Sequence, residues 1–141
     1  MDYLFVYGTL MQPFDNPFAV LLRRHAKLIG KGVLKGQLFC QKAHTFWYPV
    51  AAATEGNDFI KGEIYQLQAA TNNFLLEQLD EYEGVDSQTR SGAEYLRLKR
   101  QIEVAGSGWV SAWVYFSHKE PKNLPKIEHG DFLEYLNKNS P

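Results

Sequence analysis

Apolar and polar positions follow more than one rhythm along this chain, and each rhythm predicts its own kind of element. Tyr3-Leu4-Phe5-Val6-Tyr7 is an unbroken aromatic and β-branched run halted by Gly8, which predicts a buried first strand ending in a sharp turn. From Pro17 to Arg24 the chain has Pro where a first helical turn accepts it, Asn16 before it as a cap and arginines at the far end. That pattern predicts a short helix. Between Lys27 and Gln66, glycines and Pro49 cut the chain into short apolar pieces, such as Gln37 to Cys40 and Ile60 to Leu67, which suit strands joined by turns. Tyr95 to Val104 alternates apolar with polar. Beyond Gly106-Ser107-Gly108, Trp109 to Phe116 continues as a strand apolar on both faces, so the two form a hairpin. Trp109, Trp113 and Tyr115 share one face of that strand, a stripe that usually packs into a core, although a tyrosine near a strand end can line a pocket with its hydroxyl toward a ligand. A last amphipathic stretch, Asp131 to Leu136, takes Asp131 as its N-cap and covers one end of the sheet. The class is α+β, with several strands closing around one core.

Helical rhythm also runs from Thr71, read as an N-cap, to Gly84, read as a C-cap. With residues about 100° apart around the axis, Leu75, Leu76, Leu79 and Tyr82 fall in one sector of roughly 120°. Glu83 falls inside that sector, whereas Glu77, Asp80 and Glu81 fall outside it. Glu83 is therefore the acid aimed at the core. It also sits in the last turn, beside unpaired helix carbonyls, so burial and the helix dipole both oppose its ionised form and raise its pKa. Such a carboxyl can exchange protons near neutral pH. The bland alternative is an acid at a frayed helix end with no chemical task.

Tyr7-Gly8-Thr9-Leu10 follows the first strand directly. A turn made permissive by glycine can point consecutive backbone N–H groups into one concavity and hold a carboxylate there, or it can simply end a strand. It is neither a Walker loop, lacking Gly-Lys-Ser/Thr, nor a dinucleotide fingerprint, lacking the second and third glycines. Gly106-Ser107-Gly108 joins two strands, so it is not the strand-to-helix corner a nucleophilic serine needs. Cys40 reads as a small buried hydrophobe rather than a nucleophile.

Composition narrows the function classes. With 141 residues, 45% of them apolar, the chain closes one sizeable core rather than two, and residues 1–141 are expected to form a single domain. Fifteen Lys+Arg against sixteen Asp+Glu leave a formal net charge of -1, which lacks the positive field that nucleic-acid backbones require. A lone cysteine cannot form an internal disulfide, and the four histidines, His25, His44, His118 and His129, show no ligand spacing. A cytoplasmic protein with no metal and no cofactor is expected. The opening apolar run is far too short for a bilayer span, so no membrane association is expected either.

Taken in order, Phe5 to Leu10, Lys61-Gly62-Glu63-Ile64-Tyr65, Leu79-Asp80-Glu81-Tyr82-Glu83-Gly84, Tyr95-Leu96-Arg97 and Ala112-Trp113-Val114-Tyr115 resemble the gamma-glutamylcyclotransferase-like family, including its AIG2-like and gamma-glutamylamine cyclotransferase branches. The resemblance spans residues 3 to 116. It implies a small mixed β-barrel flanked by a few helices. It also implies that Glu83 is the general acid/base, and that Tyr7, Gly8, Thr9 and Leu10 bind the glutamyl end of a substrate, with Tyr115 lining the same cavity. The implied reaction is an intramolecular aminolysis that releases 5-oxoproline and a free amine or amino acid. A monomer or weak homodimer acting on a small gamma-glutamyl molecule is the implied form. Its tethered nucleophile needs no Ser or Cys, because effective molarities of about 10⁵ M or more come from geometry alone. The turn amides would fix the α-carboxylate or steady the oxyanion. The stretch Met11 to Pro17 departs from the family pattern, being apolar and free of Lys and Arg. That departure keeps a second reading open, a non-catalytic ligand-binding or regulatory module of the same fold. Residues Val85 to Glu94 read as a polar loop near the cavity mouth, tuning substrate choice or serving as linker.

Overall fold

A computed structural model describes residues 2–43, 47–52, 56–106, 108–117, 121 and 123–139. In chain order the elements are β1 (Tyr3–Val6), α1 (Pro17–His25), β2 (Ala26–Lys35), β3 (Gln37–Lys42), β4 (Trp47–Ala52), β5 (Phe59–Leu67), α2 (Asn72–Glu83), β6 (Val85–Asp86), β7 (Ser91–Gly92), β8 (Tyr95–Val104), β9 (Gly108–Ser117) and α3 (Phe132–Asn139). Five strands in the order β2-β5-β1-β9-β8 close on themselves through a β2–β8 pairing, forming a barrel, while β3 and β4 make a separate two-stranded ladder. The barrel is mixed: β1 runs parallel to β9 and antiparallel to β5. Leu4 and Phe5 are both fully buried although neighbouring residues of a strand point to opposite faces, which accounts for the unbroken apolar run.

Each predicted helix forms, and its ends show why. Asn16 accepts the Ala19 N–H at 2.9 Å and starts α1, and Asp131 accepts the Glu134 N–H at 3.1 Å and starts α3. Gly84 ends α2 in the left-handed conformation (φ 73°), its N–H turned back onto the carbonyls of Asp80 and Glu81. Thr71 stands at the start of α2 but its hydroxyl makes no capping bond; its carbonyl instead receives the Leu75 N–H at 2.9 Å.

Two other expectations are corrected. Residues 85–94 are not plain loop: β6 and β7 pair as a miniature ladder beyond β8, and the Asp86 carboxylate takes the N–H groups of Gln88 and Thr89 at 2.9 and 3.0 Å. The aromatic stripe of β9 is not uniformly core. Trp109 is 61% exposed, Trp113 is half-buried beneath Arg97 and Lys99, and Tyr115 alone is deeply buried. Ala112 and Val114, on the opposite face, are completely buried instead. Cys40 is a buried free thiol, as its apolar neighbours predict. His44 and His118 lie outside the described residues. Among the described residues no cluster of His, Cys, Asp and Glu could hold a metal, and no helix is long and apolar enough to cross a membrane.

Candidate active site

One end of β1 opens into a cavity of about 250 Å³, smaller than the roughly 300–1,000 Å³ of sites for drug-sized ligands. Tyr7, Gly8, Thr9 and Leu10 form one wall, Tyr82 and Glu83 from the end of α2 another, and Tyr48 with Pro49, Glu94 with Tyr95, and Tyr115 complete it. All six residues singled out in the sequence, Tyr7, Gly8, Thr9, Leu10, Glu83 and Tyr115, thus border a single hollow, although β1, α2 and β9 lie far apart along the chain.

The turn is held from three sides. Met11 N–H bonds back to the Gly8 carbonyl at 3.0 Å, Asn16 donates its side-chain amide to the Thr9 carbonyl at 2.7 Å, and the Thr9 hydroxyl meets the Tyr82 hydroxyl at 2.9 Å. Asn16 therefore caps α1 and fixes the cavity turn at once, a double role no sequence signal announces. Glycine is needed at position 8 for space rather than for a positive φ, since a Cβ there would lie 2.6 Å from Cγ of Pro49. The N–H groups of Thr9 and Leu10 enter no hydrogen bond among the described residues, which leaves them available to an acceptor in the cavity. The apolar Met11 to Pro17 stretch is fastened to the body: Met11 is buried, Phe14 stacks near Phe132, and Gln12 N–H reaches the carboxylate of Glu63 at 2.9 Å.

Glu83 is half-buried at the cavity wall, and no hydrogen bond reaches its carboxyl among the described residues. Burial first, then the neighbouring acids Glu94 and Asp80, push its pKa up to about 7 from an ordinary 4.5. Its proton is therefore exchangeable at neutral pH.

Asp80 overturns the helical-wheel reading, which put it outside the core face. It is fully buried, clasped by Arg97 through Nε at 2.7 Å and Nη2 at 3.0 Å, and receives hydroxyls from Tyr115 at 2.6 Å and Ser87 at 2.9 Å. The wheel places Asp80 only about 40° past the edge of the apolar sector, near enough for a buried partner to draw it inward. Four donors satisfy a charge that would otherwise be prohibitive to bury. This clasp also redefines two tyrosines. Tyr115 borders the cavity, but its hydroxyl is committed to Asp80; Tyr7 gives its hydroxyl to the Tyr115 carbonyl and receives the Ala51 N–H. Their rings shape the hollow while their polar ends brace its floor. In the sequence Arg97 is one of several polar positions alternating along Tyr95 to Val104, and only the pairing with Asp80 singles it out.

Similarity to known proteins agrees with this architecture. The chain is 30% identical over 136 residues, 96% of its own length and 98% of the relative's, to a Methanocaldococcus jannaschii protein whose name assigns it provisionally to the gamma-glutamylcyclotransferases. It is 30% identical over 131 residues to the gamma-glutamylcyclotransferase family protein YtfP of Escherichia coli K12, covering 93% of this chain and 96% of that one. The crystal structure of an AIG2-like protein from Mus musculus superimposes with a TM-score of 0.66 at 26% identity, over 93% of this chain and 88% of that one. Residues 4–134 match the family described as gamma-glutamyl cyclotransferase, AIG2-like, and the chain belongs to that family.

Proposed function

We propose that this protein is a cyclotransferase that converts a gamma-glutamyl conjugate into 5-oxoproline and a free amine, with Glu83 as its acid and base. The observation that carries the reading is a half-buried carboxyl, without a hydrogen-bond partner among the described residues, bordering the same small cavity as the Tyr7–Leu10 turn. In the reaction the substrate's α-nitrogen bonds to its own γ-carbonyl carbon, and the bond from that carbon to the departing nitrogen breaks. No water is consumed. Ring closure moves two protons from the α-ammonium group to the departing nitrogen, which leaves as an ammonium ion, and Glu83 relays them one at a time, a service worth about 10²–10⁴-fold. The free N–H groups of Thr9 and Leu10 bind the α-carboxylate or the developing oxyanion. The tethered amine supplies the nucleophile, so the protein's main task is to hold the substrate folded for ring closure. The lone buried thiol accords with a cytoplasmic setting.

Incubation with gamma-glutamyl amines and peptides, with 5-oxoproline as the measured product, tests this. Turnover by the parent chain, abolished in Glu83→Gln, is expected; equal inertness of both on every conjugate overturns the proposal. The Met11 to Pro17 stretch, which brings no cation to the cavity, favours a second reading as a binding module. That reading predicts thermal stabilisation by the conjugates in parent and Glu83→Gln alike, with no product.

A further inference from the structure

We propose that the groove beside Trp113, outside the reaction cavity, is a binding site for a phosphate dianion, held by Arg90, Lys99 and the unused end of Arg97.

The groove has a volume of about 390 Å³ and shares no residue with the cavity at the end of β1. Three cations, Arg90, Arg97 and Lys99, border it together with Trp113, and among the described residues no acid does. All three gather on one ring. The guanidinium carbon of Arg97 lies 4.3 Å from the Trp113 ring centre, Nζ of Lys99 4.9 Å and the guanidinium carbon of Arg90 5.6 Å. The indole face offsets part of their mutual repulsion, but like charges crowded in this way still favour an anion among them.

The carboxylates at hand leave that charge in excess. Asp80 takes Nε and Nη2 of Arg97. Asp2 lies 3.6 Å from Lys99 in a solvent-exposed pair, and the same carboxylate also receives the Asn72 amide. Arg90 has neither an ion pair nor a side-chain hydrogen bond among the described residues. The buried guanidinium is a second, independent sign. Arg97 is only 5% exposed, yet its Nη1 has no acceptor among the described residues and is not sealed from solvent. A charged donor so nearly enclosed gains from an acceptor placed in the groove it borders.

The backbone brings Arg90 to this place against its own preference. Its φ of 59° is left-handed, uncommon for arginine, and its carbonyl receives the Arg97 N–H at 2.9 Å, so two like charges are held side by side. The Asp86 turn that binds the N–H groups of Gln88 and Thr89 fixes the approach. A stretch serving only as linker needs no such arrangement. Two cations lacking a full counter-ion match a doubly charged group better than a carboxylate, and a guanidinium fork suits phosphate oxygens. The volume leaves room for the organic part of a phosphomonoester as well as for the free ion.

Titrating the full chain at low salt with inorganic phosphate, glycerol 3-phosphate and acetate tests the assignment. Calorimetry gives the affinities, and the Trp113 indole N–H resonance, identified by its loss in Trp113→Phe, gives the place. Phosphate or the monoester should bind about tenfold tighter than acetate or better and move that resonance, and the tighter of the two separates free ion from ester. Arg90→Gln and Lys99→Gln should each weaken the binding about tenfold, while Lys35→Gln, on the exposed end of β2, should leave it unchanged. Arg90 and Lys99 are both exposed, so the variants should melt as the parent does without phosphate. The proposal is overturned if neither phosphate species binds, if acetate binds as tightly, if binding leaves the Trp113 resonance in place, or if the Arg90→Gln/Lys99→Gln double variant binds as well as the parent.

Discussion

Two acids three residues apart on α2 have opposite environments, and the difference is hydrogen bonding. Asp80 is buried with four donors, whereas Glu83 is half-buried with none among the described residues, and burial raises the pKa of Glu83 to about 7. Because that value exceeds the ordinary 4.5, the folded chain holds more protons than the unfolded one between those pH values and loses stability as pH rises through them. Glu83→Gln cannot ionise. Thermal melts at about pH 8 should therefore find the variant more stable than the parent, by on the order of 1–2 kcal/mol, with the gap closing near pH 4. The kcat/KM of the parent should climb through an acidic limb at about pH 7, the ionisation that frees the base. Removing one side of the clasp beneath it is a separate matter. Arg97→Ala leaves Asp80 buried and without its cation, and urea denaturation should register a loss of about 3–5 kcal/mol.

Short elements position the site more than long ones do. Asn16 accepts from Ala19 N–H to start α1 and donates to the Thr9 carbonyl, so helix and cavity turn share one side chain. Loss of an N-cap alone costs about 1 kcal/mol; Asn16→Ala should cost that much in denaturant melts and also weaken substrate binding, as a raised KM. Asn16→Asp keeps the cap and loses only the donated bond, so it should spare stability and still raise KM. Gly8→Ala drives a methyl group against Pro49, the residue that anchors Tyr95 and thereby the mouth. The β6–β7 ladder has a comparable role, since it converts the stretch 85–94 into a braced arm that ends at Glu94.

At the scale of the whole molecule, barrel closure is uneven. β8 and β9 pair along ten residues each, from Tyr95 with Ser117 to Val104 with Gly108, while β2 meets β8 only at Gly32 with Val104 and Val33 with Glu103. Hydrogen exchange should accordingly protect the β8–β9 amides strongly and those at the β2–β8 seam least, opening the barrel there first. The hairpin was legible in advance because its strands are local and joined by a glycine turn. The closing seam was not, because it unites segments about seventy residues apart with no shared local pattern. The same division holds for the site. Amino-acid order alone determined the strand-turn at Tyr7 to Leu10, the helix ending at Gly84 and the phase that directs Glu83 inward, since each follows from spacing and capping within a dozen residues. Only the tertiary structure decided that these segments share one cavity, that Asp80 is buried beside Arg97, and that the hydroxyls of Tyr7 and Tyr115 brace its floor. Those outcomes depend on pairing between distant strands, where burial and hydrogen-bond satisfaction act on the whole chain at once.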